Sequence, residues 1–547
     1  MVKRQECGPT GARGAKSLTV HGIGSTLALP AEPETPHPTV ATQPPLSDLL
    51  RAILEARVPS AARETPLDPA PRLSKRTGCD VVLKREDLSP VHSFKLRGAY
   101  NRIARLSADE RARGVLAASA GNHAQGVAWA AREQGVSAVI VMPETTPAIK
   151  VDAVAAMGAE VVLKGITFGD AKAHADELLA ATGRVFIHPF DDLDVIAGAG
   201  TVGAEILHDA LGDVDAIFVP AGGGGLLAGV AAYVAAVRPT VKVYGVEPVD
   251  ADSMARSLEA GERVILPTVG IFADGVAVAQ VGEHTFAIAR EHVAGVIRVS
   301  NDEIAAATKD VFEDVRAVVE PAGALAVAGL RRWVRESGAS GLRLAAVLSG
   351  ANINFDRLGF IVERAELGEQ REALLAATIP ERPGAFRTFC ALLGRRTITE
   401  FNYRLASRDA AHIFVGLTVR DPADTAALVD ALRAADLPVV DLSDDETAKV
   451  HIRHMVGGRS AEVRDERLVR AEFPERPGAL LAFLDALAGR WNISLFHYRN
   501  HGADFGRVLM GFEVPDAELP AFRGFIDGLG YPAATEDDNP AYALFLR

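Results

Sequence analysis

Ala216-Ile-Phe-Val-Pro-Ala-Gly-Gly-Gly-Gly-Leu-Leu227 joins a short β-branched and aromatic run to an apolar, alanine-rich one through four consecutive glycines. A parallel strand running directly into a helix has this form. With no Cβ atoms in the way, Gly222, Gly223, Gly224 and Gly225 can turn successive N–H groups onto one anion, and the positive end of the following helix adds to the attraction. A flexible linker is excluded by context: linkers are polar, whereas Val219, Leu226 and Leu227 flank this run. A second reading competes. Gly223, Gly225 and Ala228 also satisfy G-x-G-x-x-A, and Glu247 follows about 20 residues on, as a nicotinamide dinucleotide fingerprint requires. No Lys-Ser or Lys-Thr follows the glycines, which counts against a Walker-type loop.

The same alternation extends to both sides. Val81 to Leu83, Val115 to Ala118, Ala138 to Val141, Glu160 to Leu163, Ala216 to Val219, Lys242 to Val246 and Leu344 to Leu348 are expected strands, each leading through a polar or glycine-rich turn toward helical spacing. Parallel strands of this kind need helices on both faces and bind ligands beyond their carboxyl ends. The turns there are therefore the candidate sites. Ser93-Phe-Lys-Leu-Arg-Gly-Ala-Tyr100 offers Lys95 beside Phe94; a desolvated lysine has a lowered pKa and serves as nucleophile and base, although a surface lysine covering an apolar neighbour looks the same. Ser119-Ala-Gly-Asn-His-Ala-Gln-Gly126 offers helix-start N–H groups and Asn122 to a carboxylate or a ring oxygen. His123, alone, reads as a structural hydrogen-bonder. Leu348-Ser-Gly-Ala-Asn352 presents the Ser349 hydroxyl, or is only a strand-ending turn.

At 547 residues the chain is too long for one core. Hydrophobic residues at 48% and charged ones at 24% place it among globular proteins, and its net charge of −13 disfavours nucleic acid and anionic membranes. The longest apolar run, Leu226 to Val237, falls short of the roughly 20 residues of a membrane span. Cys7, Cys79 and Cys390 are too scattered for a disulfide framework or a metal knuckle, so no metal is expected and a reducing cytoplasm fits. Residues 1–45, rich in Pro, Thr and Gly, read as a disordered tail; Glu6, Glu32 and Glu34 count against a targeting peptide.

Beyond about residue 366 the chain repeats itself. Ile379-Pro-Glu-Arg-Pro-Gly-Ala-Phe386 returns 94 residues later as Phe473-Pro-Glu-Arg-Pro-Gly-Ala-Leu480, and Glu400-Phe-Asn-Tyr-Arg404 returns 95 residues later as Leu495-Phe-His-Tyr-Arg499. Each copy reads strand, Pro-Gly turn, helix, strand, strand, helix, short strand, a ferredoxin-like order. Gly384 and Gly478 would free N–H groups at a helix start for an anion, or simply close a tight turn.

Taken in order, Ser93-Phe-Lys-Leu-Arg-Gly98, Ser119-Ala-Gly-Asn-His-Ala-Gln-Gly126, Gly222 to Leu226 and Ser349-Gly-Ala-Asn352, with His188-Pro-Phe-Asp-Asp192 and Glu320-Pro-Ala-Gly-Ala324, resemble the pyridoxal-phosphate-dependent threonine dehydratases. The doubled module resembles their paired ACT-like regulatory half. The resemblance implies an α/β catalytic domain of fold-type II, tryptophan synthase β-like, with two lobes of parallel sheet at 46–365, then ACT-like subdomains at 366–447 and 467–547 joined by a linker at 448–466. It implies that Lys95 holds pyridoxal 5'-phosphate covalently and acts as the base. Gly222, Gly223, Gly224, Gly225 and Leu226 would grip the phosphate, Asn122 the ring hydroxyl and Ser349 the ring nitrogen, with Phe94 packed beside the ring. Ser119, Ala120, Gly121, Asn122 and His123 would receive the substrate carboxylate.

Threonine, and serine beside it, is the implied substrate, with 2-oxobutanoate and ammonia as products in the first step of isoleucine synthesis. Isoleucine and valine are the implied effectors, with Glu400, Phe401, Asn402, Tyr403, Leu495, Phe496, His497 and Tyr498 as candidate effector-facing positions, in a homotetramer. Ala199 departs from the pattern, where the family is expected to carry Gln. A serine dehydratase or a β-replacement enzyme such as a threonine synthase is the alternative within the cofactor class. An amino-acid sensor on an inactive scaffold is the alternative outside it.

Overall fold

A computed structural model describes residues 44–547 except 63, 210–213, 369–370, 383, 406, 446–447, 450–451, 456, 459, 475–478, 500–504, 530–532, 538–545 and 547. The expected tail, apart from its last two residues, and Gly478 lie outside the described residues. Ten strands build the N-terminal two thirds: β1 (Leu67–Pro69), β2 (Asp80–Arg85), β3 (Val115–Ala118), β4 (Ala138–Met142), β5 (Glu160–Leu163), β6 (Val185–Phe186), β7 (Ala216–Pro220), β8 (Lys242–Pro248), β9 (Gly295–Val299) and β10 (Arg343–Leu348). All seven expected strands form. They divide between a six-stranded sheet, β1-β2-β10-β7-β8-β9, and a four-stranded one, β5-β4-β3-β6, parallel except for β1. β1, β6 and β9 were not expected: the first two are only two or three residues long, and Arg298 interrupts the apolar run of the third.

Alternation along the strands explains how the larger sheet feeds two cores. Val81 and Leu83, Ala216 and Phe218, Leu344 and Ala346 face one apolar cluster; Val82, Ile217 and Val219, Ala345 and Val347 face another. The helices pack closely because glycines let their backbones touch. A Cβ on Gly198, in helix Leu193–Asp209, would stand 2.5 Å from Arg97 O in helix Lys95–Ala104, and one on Gly229, in helix Gly225–Val237, 2.6 Å from Gly200 N. Ala199 is buried in the same helix, among Val202, Leu226 and Leu227. Among the described residues no helix is long and apolar enough to cross a membrane.

The C-terminal module forms one eight-stranded sheet from β11 (Glu372–Pro380), β12 (Ile398–Arg404), β13 (Ala410–Thr418), β14 (Val439–Asp441), β15 (Glu466–Pro474), β16 (Asn492–Arg499), β17 (Phe505–Glu513) and β18 (Ala533–Thr535). Its order is β14-β11-β13-β12-β16-β17-β15-β18, so the copies meet where β12 and β16 pair antiparallel. Ion pairs tie this module to the first part of the chain. Asp302, at the start of helix Asn301–Val315, accepts from Arg364 at 2.8 Å and from Lys449, between the copies, at 2.7 Å.

Beneath the expected reactive lysine lies a largely buried charge network. The Arg97 guanidinium donates to both oxygens of Glu86, at 2.7 and 2.8 Å, and to both of Glu205, at 2.6 and 2.8 Å. Arg97 and Glu86 are each 0% exposed. Removing one partner of such a group strands the other without solvation. Arg97→Met is expected to destabilise the fold by about 3 to 5 kcal/mol, read as a lowered urea midpoint; an unchanged midpoint would discard this account of the network.

Candidate active site

The four turns singled out in the sequence all lie at carboxyl ends of strands, after β2, β3, β7 and β10, and the fold brings them to one place. The turn before Lys95 is locked by Ser89, whose Oγ accepts the Ser93 N–H at 2.8 Å. It is then clasped to the turn after β10: Phe94 N–H donates to Ser349 O at 3.1 Å, and Ala351 N–H to His92 O at 2.9 Å. Helix Asn122–Glu133 lies on the Lys95 backbone, where a Cβ at Gly126 would come within 3.2 Å of the Lys95 carbonyl.

The glycine loop reaches the lysine through His188-Pro-Phe-Asp-Asp192. Lys95 Nζ donates to Pro189 O at 2.8 Å. The next residue, Phe190, fills the space over Gly223 and Gly225: a Cβ on the first would fall 2.2 Å from its ring, and on the second 3.0 Å from its carbonyl oxygen. Thr285 Oγ donates to Gly223 O at 2.7 Å, and Asp191 accepts the N–H groups of Glu283 at 2.8 Å and His284 at 2.9 Å, so the loop is braced from behind. Gly224 has φ +94°, in the left-handed region that glycine tolerates. No side chain caps the helix it opens, and no acidic residue stands in the first turn. An amine held next to the segment that packs on the glycine loop, and an uncapped helix start opened by that loop, suit an aldehyde that carries a phosphate.

Burial sets the electrostatics. It lowers Lys95 to about 8, partly opposed by the charge of Glu320, and raises Glu320 itself to about 7. His123 is pushed down to about 3 by burial and by the nearby lysine, and its Nε2 bonds Ile187 O at 2.8 Å. It is a neutral structural imidazole. Burial likewise lowers His188, whose Nδ1 accepts the Asp191 N–H at 2.7 Å.

Ser119, Ala120, Gly121 and Asn122 form a partly exposed turn, while Leu226 and Ser349 are buried; the Ser349 hydroxyl donates to Ala322 O at 3.1 Å. Phe94 lies with its ring centroid 5.2 Å from Lys95 Nζ. The dinucleotide reading fails at Glu247, which is fully buried and accepts the N–H groups of Met254 and Ala255 at 2.8 and 2.9 Å, capping a helix instead of facing a ribose.

In the C-terminal module, Phe401, Leu495 and Phe496 are core residues, and Glu400 is buried against Arg453 at 2.7 Å. Asn402 donates to Arg453 O at 3.3 Å, and His497 and Tyr498 are half-buried on β16. Tyr403 differs: its hydroxyl donates to Glu381 at 2.7 Å, and both line a cavity of about 660 Å³ between the two copies. Two polar residues of the first site carried no assigned role in the sequence, Glu320 and Asn352, which bond to the two ends of the Asn122 amide at 2.6 and 2.8 Å. A carboxylate set between Val319 and Pro321-Ala-Gly-Ala-Leu325 was the available signal for the first.

Comparison with known proteins shows the cofactor class. The family described as "Pyridoxal-phosphate dependent enzyme" matches residues 58–350. "C-terminal regulatory domain of Threonine dehydratase" matches twice, at 363–452 and 457–546. "L-threonine dehydratase biosynthetic IlvA" of Burkholderia multivorans is 55% identical over 502 residues, spanning 91% of this chain and 99% of that protein. Its Escherichia coli namesake is 51% identical over 91% of this chain and 97% of its own. The solved processed form of threonine deaminase isoform 2 from Solanum lycopersicum is 49% identical with a TM-score of 0.58, covering 59% of this chain and 88% of that one. If Lys95 is the amine that captures the cofactor, a group protonated below and neutral above about pH 8 sets the rate. Cofactor capture by the cofactor-free protein, followed by visible absorbance, should quicken as pH rises toward 8 and level off above it; a rate flat from pH 6 to 9 would contradict this.

Proposed function

The chain belongs to the pyridoxal-phosphate-dependent threonine dehydratases with a doubled C-terminal regulatory domain, and from that premise we propose that it converts L-threonine to 2-oxobutanoate and ammonia under feedback control by isoleucine. The observation that most supports the residue roles is the placement of Lys95 Nζ at 2.8 Å from Pro189 O, one residue from the ring that covers the glycine cradle. Lys95 would hold the cofactor's aldehyde carbon, the N–H groups of Gly222 to Leu226 its phosphate, Asn122 its ring oxygen and Ser349 its ring nitrogen. Bound there, pyridoxal phosphate supplies an electron sink for negative charge developing at Cα.

The protein's own groups do the rest. The helix-start N–H groups of the Ser119 to His123 turn hold the substrate carboxylate, with His123 contributing only backbone, and so fix Cα near Lys95. Once the substrate's own amine has taken its place, Lys95 Nζ, partly neutral because burial brings it to about 8, takes the Cα proton. The β-hydroxyl leaves as water. The 2-aminobut-2-enoate released then tautomerises to an imine and hydrolyses, returning that water, to 2-oxobutanoate and ammonia. Ser349, a hydroxyl and not a carboxylate, does not force a proton onto the ring nitrogen, which keeps the sink moderate and favours β-elimination over transamination. L-Serine, lacking only the γ-methyl, is a second substrate. A β-replacement enzyme would instead return an amino acid, which product analysis distinguishes.

Isoleucine acts at the cavity between the regulatory copies, with valine opposing it. The lining supports this. Glu381 offers a carboxylate to an ammonium, Gly384 opens helix Ala385–Leu393 with no side-chain cap, and Phe386 and Trp491 offer apolar faces. Isoleucine must favour one arrangement of the module over another by about 1 to 3 kcal/mol to matter. A homotetramer in the cytoplasm completes the reading.

Two measurements test the two halves. Lys95→Ala should lower kcat by about 10²- to 10⁴-fold from loss of the base alone, and borohydride should no longer fix the cofactor to the peptide containing residue 95. More than a tenth of wild-type kcat, or an adduct on another lysine in the wild type, would refute the assignment. Glu381→Gln should raise the isoleucine concentration for half-inhibition about tenfold, the worth of one charge-assisted hydrogen bond, with uninhibited kcat within about twofold; unchanged inhibition moves the effector elsewhere.

A further inference from the structure

Asn122 opens the helix Asn122–Glu133, and its amide carries one acceptor oxygen and two N–H donors. Two of these three functions are already committed. Asn352 Nδ2 donates to Asn122 Oδ1 at 2.8 Å and is itself held by Val91 O at 2.8 Å. Asn122 Nδ2 donates to Glu320 Oε1 at 2.6 Å. Glu320 is 4% exposed and stands immediately before helix Pro321–Ser337, its backbone N–H bonded to Gly350 O at 3.3 Å. The carboxylate and the amide share a slot kept open by glycine. A Cβ on Gly350 would fall 2.4 Å from Glu320 Oε1 and 3.3 Å from Asn122 Nδ2, and Gly275 borders the same pair at 3.7 and 4.0 Å.

The chemistry of the two partners is one-sided. An ionised carboxylate only accepts, so it selects the Nδ2 end of Asn122; the Asn352 N–H groups only donate, so they select the Oδ1 end. An unrestrained asparagine can turn its amide over at small cost, presenting oxygen where nitrogen stood. With both ends claimed by groups of opposite kind, that rotation loses two buried hydrogen bonds together. What remains uncommitted at the Nδ2 end is one N–H, a donor.

We infer that Glu320 is a positioning residue for the cofactor ring: with Asn352, it fixes the Asn122 amide so that a donor and never an acceptor faces the ring oxygen. The inference rests on the reading of Asn122 as the ring-oxygen contact. Burial of Glu320 has a stated use on this view. A solvated carboxylate would exchange the amide for water, whereas one walled in by Gly275 and Gly350 has Asn122 as the partner its Oε1 reaches. Glu320 also lies near enough to Lys95 for its charge to pull the lysine upward.

The test is a double-mutant cycle read on cofactor affinity and not on turnover. Apparent dissociation constants for pyridoxal phosphate are measured at pH 8 by absorbance titration of the cofactor-free protein, for wild type, Asn122→Ala, Glu320→Gln and the double variant, with folding checked by circular dichroism. Glutamine keeps the shape of Glu320 but can donate, so it no longer selects one end of the amide. Each single variant should weaken binding about tenfold, the worth of one hydrogen bond to a charged group, and the double variant should bind within about twofold of Asn122→Ala alone, because Glu320 acts only through Asn122. Losses that multiply, or wild-type affinity in Glu320→Gln, overturn the positioning role while leaving the Asn122 contact in place. Wild-type affinity in Asn122→Ala overturns the contact itself. Should Glu320→Gln fail to fold, Asn352→Ala, which frees the other end of the amide, decides by the same criterion: its loss must also vanish when Asn122 is alanine.

Discussion

Two residues beyond Lys95, a guanidinium with no exposed surface bonds to the carboxylates of Glu86 and Glu205. Those partners come from the turn after β2 and from helix Leu193–Asp209, so three separate segments are fixed against one another around Arg97. A charge taken out of water is tolerable only with every donor answered, which makes the cluster unforgiving of movement. Lys95 stands at the head of the same helix and inherits that rigidity. The backbone clasp between Ser93 and Gly350 then adds the turn after β10, and the contact of Phe190 with Gly223 adds the glycine loop. The Lys95 amine and the glycine loop, contributed by distant parts of the chain, thus keep a fixed separation.

The parts of this arrangement legible in the sequence were those written in consecutive residues. Glycine runs, a lysine beside an aromatic, and strands of β-branched residues each declare themselves locally, and the self-similarity of the C-terminal third declared its doubling. Two lobes of sheet were implied by the resemblance alone; which strand joins which sheet was not legible, because periodicity reports burial and not the neighbour. Glu320 and Asn352 were visible as residues but silent as partners of Asn122, from which 198 and 230 positions separate them. Glu247 shows the opposite error, in which correct spacing suggested a ribose contact and the fold uses the carboxylate as a helix cap.

The repeated Glu-Phe-Asn-Tyr and Leu-Phe-His-Tyr segments carry a similar lesson. Both copies repeat an aromatic there because both need the same core, and Phe401 and Phe496 meet across the seam with ring centroids 5.5 Å apart. Self-similarity reports shared packing before it reports shared ligands, and only Tyr403 of the eight positions lines the cavity. The seam strand is nonetheless wired to the catalytic half by charge. Glu400 on β12 pairs with Arg453, whose Nη1 lies 3.4 Å from Glu363 O, and Lys449, four residues before it, pairs with Asp302.

The strand order of the C-terminal sheet reads as a near-palindrome about the β12–β16 pairing, β14-β11-β13-β12 answered by β16-β17-β15-β18. Such an arrangement has a local pseudo-twofold axis, the symmetry that two identical subunits adopt when they join edge to edge. Here covalent linkage replaces association, so the pairing does not depend on protein concentration. Genetic duplication also frees each half to drift alone. A substitution in one copy has no enforced twin in the other, and a signal received at one end of the axis need not be mirrored at its opposite.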